Sequence, residues 1–294
     1  MSKIISFSVW GNGQKYLKGS IENIALASEI YPGWTCRFYC DSKVDSSFMS
    51  KLESYGSEVV VVKTIKSNWE GLFWRFAPAS EADVEIFISR DIDSRLNERE
   101  QAAVEEWLSS DKPIHCMRDH IEHNVPILGG MWGCRKGVFH NMKQMISDWG
   151  KCDYKGSDQD FLRTVVWENL KHLVLAHDKF HNGFSVEQIV SDPKEYIKQR
   201  EEYNDFRNRS MEAKKTFIAE RFVQGISPSK EELDKLFPEL EELKPIRYNE
   251  NNQIVFDYVY NPLKLFGKHD VRPFPPHKEM KHGSHVGEII EEVI

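Results

Sequence analysis

An α/β architecture, with a mixed, mostly parallel sheet flanked by helices and an appended helical region, is what this 294-residue sequence predicts. Three observations carry that expectation. Apolar runs of strand length alternate with amphipathic stretches of helix length from residue 3 to about residue 180. The connections between them are short and marked by Gly, Pro and Asn. Polar or acidic residues stand where successive apolar runs end, at the edge where such sheets bind ligands.

Taken in order, residues 4–9 read as a buried strand that ends at Gly11-Asn12-Gly13, a turn that lets backbone approach a ligand. Residues 16–30 have helical spacing and stop at Tyr31-Pro32-Gly33. A second strand, 34–39, runs out at Asp41; a helix over 46–55 stops at Gly56; a third strand covers 58–62. Residues 71–79 read as helix, 84–89 as a buried strand, and Asn97-Glu98-Arg99-Glu100 opens a helix ending near Leu108. Residues 114–120 and 127–133 read as two further strands, the glycines of the second marking a close approach. A helix near 141–149 follows. Gly156-Ser157-Asp158-Gln159-Asp160 then opens a helix to residue 169, with Ser157 or Asp158 as N-cap. Residues 172–180 form the last strand of this set, ending His177-Asp178.

Composition shifts near residue 185. The expected organisation is a core over 1–184, a charged helical insertion or subdomain over 185–265, and a closing segment over 266–294. Within the insertion, helices fall near 195–222 and 229–240, and a hairpin near Asn251-Asn252. The net charge of -7 argues against broad nucleic-acid binding, which needs a basic face. No apolar run approaches the roughly 18 residues of a membrane span. Five cysteines, Cys36, Cys40, Cys116, Cys134 and Cys152, are odd in number and form no Cys-x-x-Cys pair, so they read as reduced thiols. The first residues enter a strand with no leader-like apolar segment, and the expected setting is cytoplasmic.

The most informative stretch is Arg90-Asp91-Ile92-Asp93-Ser94, directly after the apolar run that ends at Ser89. Two carboxylates so close repel and lose solvation, which serves a core poorly. They suit a hard divalent cation, which takes one or two carboxylates together with phosphate oxygens and water. In chain order, Asn12-Gly13, Arg75, Asp91-Ile92-Asp93, Gly129-Gly130-Met131-Trp132-Gly133 and Asp158-Gln159-Asp160 form a set. That set resembles the nucleotide-sugar glycosyltransferases of the GT-A fold, in particular the short Asp-x-Asp transferases of large algal viruses and bacterial surface-glycan clusters. The likeness covers roughly residues 3–180 and the tail; the stretch 185–265 has no counterpart in it.

The resemblance implies a Rossmann-like GT-A core and metal-dependent transfer of a sugar from a nucleotide sugar, uridine-linked, to a glycan acceptor. It implies that Asn12 and Asp41 hold the nucleoside and that Arg75 reaches the donor. Asp91 and Asp93 would carry Mn²⁺ or Mg²⁺, Asp93 as direct ligand and Asp91 also through ribose or water. A histidine after the last core strand would join the metal: His177, with His181 as the alternative. The tail from Pro273 to Gly287 would close over the donor, with His277 and Lys278 where the family is richer in arginine. The acceptor side needs a carboxylate near the anomeric carbon, as base or as a partner for developing positive charge. Asp158 is the first candidate and Asp119 the second.

Each residue also has a plainer reading: Arg75 as a surface arginine, His177 as a structural imidazole, Asp158 as a helix cap, Asp119 as the partner of Arg118. Trp132 fits the core as well as an acceptor stack. Arg95 and Arg99 fit ion pairs with Glu98 or Glu100. Two other functions compete. A sugar-1-phosphate nucleotidyltransferase would show a basic Gly-rich loop, of which Gly11-Asn12-Gly13-Gln14-Lys15 is a poor version. A non-catalytic glycan-binding protein would bind sugar without metal. A serine hydrolase lacks its Gly-x-Ser-x-Gly elbow, and a zinc centre lacks its Cys/His spacing.

Overall fold

A computed structural model describes residues 2–11, 13–63, 68–119, 123, 125–178 and 262–277. Asn12, His120, His181, Lys278, the predicted helices near 195–222 and 229–240, and the hairpin near residue 251 lie outside the described residues. The chain falls into two compact units, one of residues 1–118, 125–177 and 268–294, the other of 119–124 and 178–267. The described part of the second is Asp119, His123, Asp178 and the short helix Pro262–Phe266 with Gly267.

The first unit is built on strands β1 (Ser2–Val9), β2 (Thr35–Asp41), β3 (Glu58–Val62), β4 (Val84–Arg90), β5 (Ile114–Arg118), β6 (Met131–Arg135), β7 (Val174–Asp178) and β8 (Asp270–Arg272). They form one eight-stranded sheet in the order β3-β2-β1-β4-β6-β5-β7-β8. β1 pairs in parallel with β2 and β4, β2 with β3, and β7 with β8, while β6 runs antiparallel to both β4 and β5. This is the mixed, mostly parallel sheet flanked by helices that the sequence predicts.

Alternation along β1 and β4 feeds two cores. One face packs Ile5, Phe7, Phe38, Ile86 and Ile88 against Ile21 and Leu26 of α1 (Gln14–Ile30), Leu52 of α2 (Ser46–Ser54) and Trp107 of α4 (Glu98–Ser109). Cys36 and Cys40 lie in this core, as their spacing on one strand face implies. On the other face Trp132 sits edge-on to Phe76, Phe87 and Phe139, with ring centroids 5.2, 5.0 and 6.1 Å away. Each such buried aromatic contributes about 2 kcal/mol or more from apolar area alone. Two covered faces are what a sheet of near-continuous apolar strands requires.

Three local expectations change. Residues 71–79 do not form one helix: a single α turn, α3 (Gly71–Trp74), is followed by a 3₁₀ turn at Ala77–Ser80, because Pro78 has no N–H with which to continue the ladder. The strand predicted over 127–133 begins only at Met131, whose N–H bonds Leu128 O at 3.1 Å and closes a turn through Gly129 and Gly130. The helix after α5 (Met142–Trp149) starts with α6 (Ser157–Phe161) and widens into π turns over Leu162–Trp167. Neither Ser157 nor Asp158 caps α6; Gly156 does, at φ 87°. The Asp158 carboxylate is engaged elsewhere.

Candidate active site

Parallel pairing of β1, β2 and β4 brings their carboxyl ends to one edge of the sheet, where Asp41 ends β2 and Asp91 follows β4. The antiparallel β4–β6 register, with Arg90 opposite Met131, sets Gly130 across from Asp91. α3 delivers Arg75 to the same place, its backbone N–H donating to Ser8 Oγ of β1 at 3.1 Å.

Arg75 is 4% exposed, and its guanidinium bridges two acids far apart in sequence. One nitrogen donates to Asp91 Oδ1 and the other to Asp158 Oδ2, the latter at 3.1 Å. A guanidinium taken out of water needs such partners, and its planar fork suits two carboxylates. Asp158 is 2% exposed, and burial pushes its carboxyl above the usual range; Asp91 adds to that push and Arg75 opposes it. Gly129 and Gly130 make room. A Cβ on Gly129 would overlap the Asp158 carboxylate, and one on Gly130 would overlap that of Asp91. Ser89 Oγ ties the same turn down by donating to Gly129 O at 2.7 Å.

The Asp91–Ser94 loop rests on α1. A Cβ on Gly19 would collide with Ile92 O, so only glycine lets helix and loop meet. Asn23, 1% exposed, donates to Ser94 O at 2.9 Å and accepts from Leu96 N–H at 3.1 Å. Glu22 pairs with Arg95, and Lys15 with Asp93 at 2.7 Å. Positions 15, 19, 22 and 23 share one helix face, so one side of α1 is a cradle for this loop. Gly19 and Asn23 are not among the residues the sequence motifs single out, although a glycine inside a helix and an Asn on its apolar side are visible signals.

Other expected site residues make contacts apart from the Arg75 bridge. Asp41 is 4% exposed and accepts from Lys43 N–H at 2.9 Å, two strands from β4. Asp119 faces His123 at 3.0 Å within the second unit, while Arg118 donates to Pro126 O and His269. Trp132 is fully buried and belongs to the core. Arg95 pairs with Glu22, and Arg99 lies over the Phe274 ring at 5.1 Å.

His177 is not brought to the aspartates. Its Nδ1 lies 2.8 Å from His115 Nε2, and its Nε2 lies 3.4 Å from Glu106, which also binds Arg272 at 2.9 Å. His115 is level with Gly133, and Gly133 with Ile88, three residues short of Asp91. At about 3.3 Å per residue and about 4.8 Å per strand, that places the histidine pair on the order of 10 Å away both along and across the sheet. Burial lowers both imidazoles, most strongly His115, which the His177 and Arg90 charges lower further. The unfolded chain therefore takes up protons near pH 6.5 that the folded chain refuses. Stability is full above that pH and is expected to fall as pH drops below it. His115→Phe, which keeps the ring stacked on Trp107 at 5.2 Å, should flatten the decline between pH 7 and pH 5 in urea titrations.

Asp91 and Asp93 fit a hard cation. Both are oxygen donors with half-exposed carboxylates that an ion can reach from solvent. Among the described residues no cluster of three or more His, Cys, Asp or Glu is arranged around a metal position. Two carboxylates accord with a cation whose other ligands are phosphate and water. No helix among the described residues is long and apolar enough to cross a membrane.

No family model and no curated protein matches the sequence. Solved structures with a similar course of chain include a glycosyltransferase involved in the glycosylation of the major capsid of PBCV-1, at 14% identity and TM-score 0.40, over 65% of this chain and 88% of that one. Glucosyl-3-phosphoglycerate synthase from Mycobacterium tuberculosis, in complex with uridine diphosphate, is 13% identical with TM-score 0.40, over 64% and 74%. A 4-diphosphocytidyl-2C-methyl-D-erythritol synthase from Anaerococcus prevotii is 11% identical with TM-score 0.39, over 67% and 98%. At this distance the functional reading rests on the residues at the sheet edge.

Proposed function

We propose that the chain is a metal-dependent glycosyltransferase that moves a sugar from a nucleotide sugar, uridine-linked, to a glycan acceptor. The observation that carries this reading is the Arg75 bridge, which gathers Asp91 and Asp158 at the carboxyl edge of the sheet beside the Gly129–Gly130 turn. Asp91 and Asp93 would hold Mn²⁺ or Mg²⁺, and the bound ion supplies Lewis-acid charge to the departing nucleoside diphosphate. Arg75 is a positioning residue: it orients Asp91 and opposes the upward push of burial on the Asp158 carboxyl. Asp158, stripped of water, then serves the reacting sugar as a partner for positive charge at the anomeric carbon or as base for the acceptor hydroxyl. Asp41 and Asn12 serve the nucleoside, and Lys278 the donor phosphates. His177, held by His115 and Glu106, is given a structural part.

Asp93→Ala is the direct test. Its exposed side chain makes misfolding an unneeded explanation, so the thermal midpoint in EDTA should stay within about 2 °C of the parent. Mn²⁺-dependent release of nucleoside diphosphate from the donor should fall roughly 100-fold or more. Full activity in this variant would remove the metal role. Nucleotide sugars should raise the thermal midpoint of the parent chain with Mn²⁺ present and not with EDTA.

A further inference from the structure

Lys15 has no part in the chemistry above, yet its ammonium lies 2.7 Å from Asp93 Oδ2, 78 positions away in sequence. Both side chains are open to solvent, 65% and 38% exposed. Such a pair adds little to folding. The lysine's position is also costly for its own helix. It stands in the first turn of α1, where a cation opposes the helix dipole, and that turn has no acidic residue and no side-chain cap. Its place on the cradle face with Gly19, Glu22 and Asn23 nevertheless holds it beside the loop. Among the described residues, Asp91 has a buried, permanent counter-charge in Arg75, and Asp93 is paired with this movable one.

We propose that Lys15 is the resident counter-ion of Asp93, which a divalent cation must displace, so that Lys15 sets how tightly the cation is held. The inference rests on the reading of Asp91 and Asp93 as the cation-binding pair. An ammonium and a divalent ion cannot share one carboxylate oxygen, and at about 5 Å they repel even through water. The flexible four-carbon stem lets the ammonium move off without disturbing the backbone. Free Lys15 then stands at an edge where a diphosphate is expected, still part of the same positive field.

The test is direct Mn²⁺ binding to the full chain, read from the electron paramagnetic resonance signal of free Mn²⁺. Lys15→Gln should bind Mn²⁺ about 3- to 10-fold more tightly than the parent. The gain should shrink above about 0.5 M salt, where the competing charge is screened. Lys15→Arg should match the parent, and Asp93→Asn should lose binding whatever stands at 15. The thermal midpoint of Lys15→Gln in EDTA should be unchanged within about 2 °C. Binding by the parent with no tightening in Lys15→Gln would overturn the role of Lys15 alone. Failure of both chains to bind Mn²⁺ in the millimolar range would overturn the cation-binding reading, and this inference with it.

Discussion

Arg75→Met is expected to lower the unfolding free energy by about 3–5 kcal/mol and to abolish measurable transfer, the largest effect of any single substitution at the site. Methionine fills much of the volume, so loss of packing is a minor part of the change. What remains is Asp158, 2% exposed, with no counter-charge beside it. A buried carboxyl in that position holds its proton to higher pH than in the parent, where burial already raises it and Arg75 resists. The unfolded carboxyl ionises in the ordinary range, so the folded variant loses stability as pH rises through the interval between the two values. The difference between parent and variant should therefore be larger at pH 8 than at pH 5.5, measured by urea denaturation of both chains at each pH so that the histidine contribution cancels. Adding Asp158→Asn removes the stranded charge. The double variant should regain much of the stability and none of the activity. Equal losses at both pH values would mean that Arg75 acts through packing rather than through charge.

The fold was legible where local chemistry decides it. Among the described residues the apolar runs of strand length became strands in whole or in part, and Gly56 and Gly150, both at positive φ, stand just past helix ends as helix-stop signals should. Asp41 and Asp91 were legible as strand-end acids because an acid after an apolar run has nowhere else to go. The Arg75–Asp158 bridge was not. Its partners are 83 residues apart, and each alone has an ordinary reading, a helix arginine and a helix cap. Only the fold brings α3 and α6 to the same strand end. His177 illustrates the reverse case. A histidine at a strand end suggests a ligand, but the strand order interposes β6 and β5 between β7 and β4 and supplies His115 as partner. Strand order is a long-range property, and nothing near His177 encodes it. Gly129-Gly130 reads as strand because apolar neighbours surround it; in the fold it is a turn pressed against two carboxylates, which depends on those same distant residues.

Gly19→Ala should reverse the usual sign of such a change. In an ordinary helix interior, alanine in place of glycine stabilises by up to about 1 kcal/mol, since it restricts the unfolded chain. Here the added Cβ meets Ile92 O, which is backbone and cannot rotate away. Helix and loop must separate by roughly a methyl radius, an overpacking that costs about 1–3 kcal/mol. The shift also strains the hydrogen bonds of Asn23 to the loop and moves Asp91 and Asp93, which flank the displaced carbonyl. Asn23→Leu attacks the same contact from the other side: it keeps the volume but takes the Asn23 acceptor from the buried Leu96 N–H, at about 1–3 kcal/mol, while Ser94 O keeps its bond from Arg95. Both variants should lose Mn²⁺ affinity about tenfold or more while their circular dichroism stays that of the parent, because the sheet does not depend on this loop. The thermal midpoint of Gly19→Ala discriminates sharply. A rise would mean that α1 obeys the ordinary rule and does not carry the aspartate loop; a fall together with weaker Mn²⁺ binding ties the geometry of the cation pair to a helix face whose only visible sign in the sequence is one glycine four residues before one asparagine.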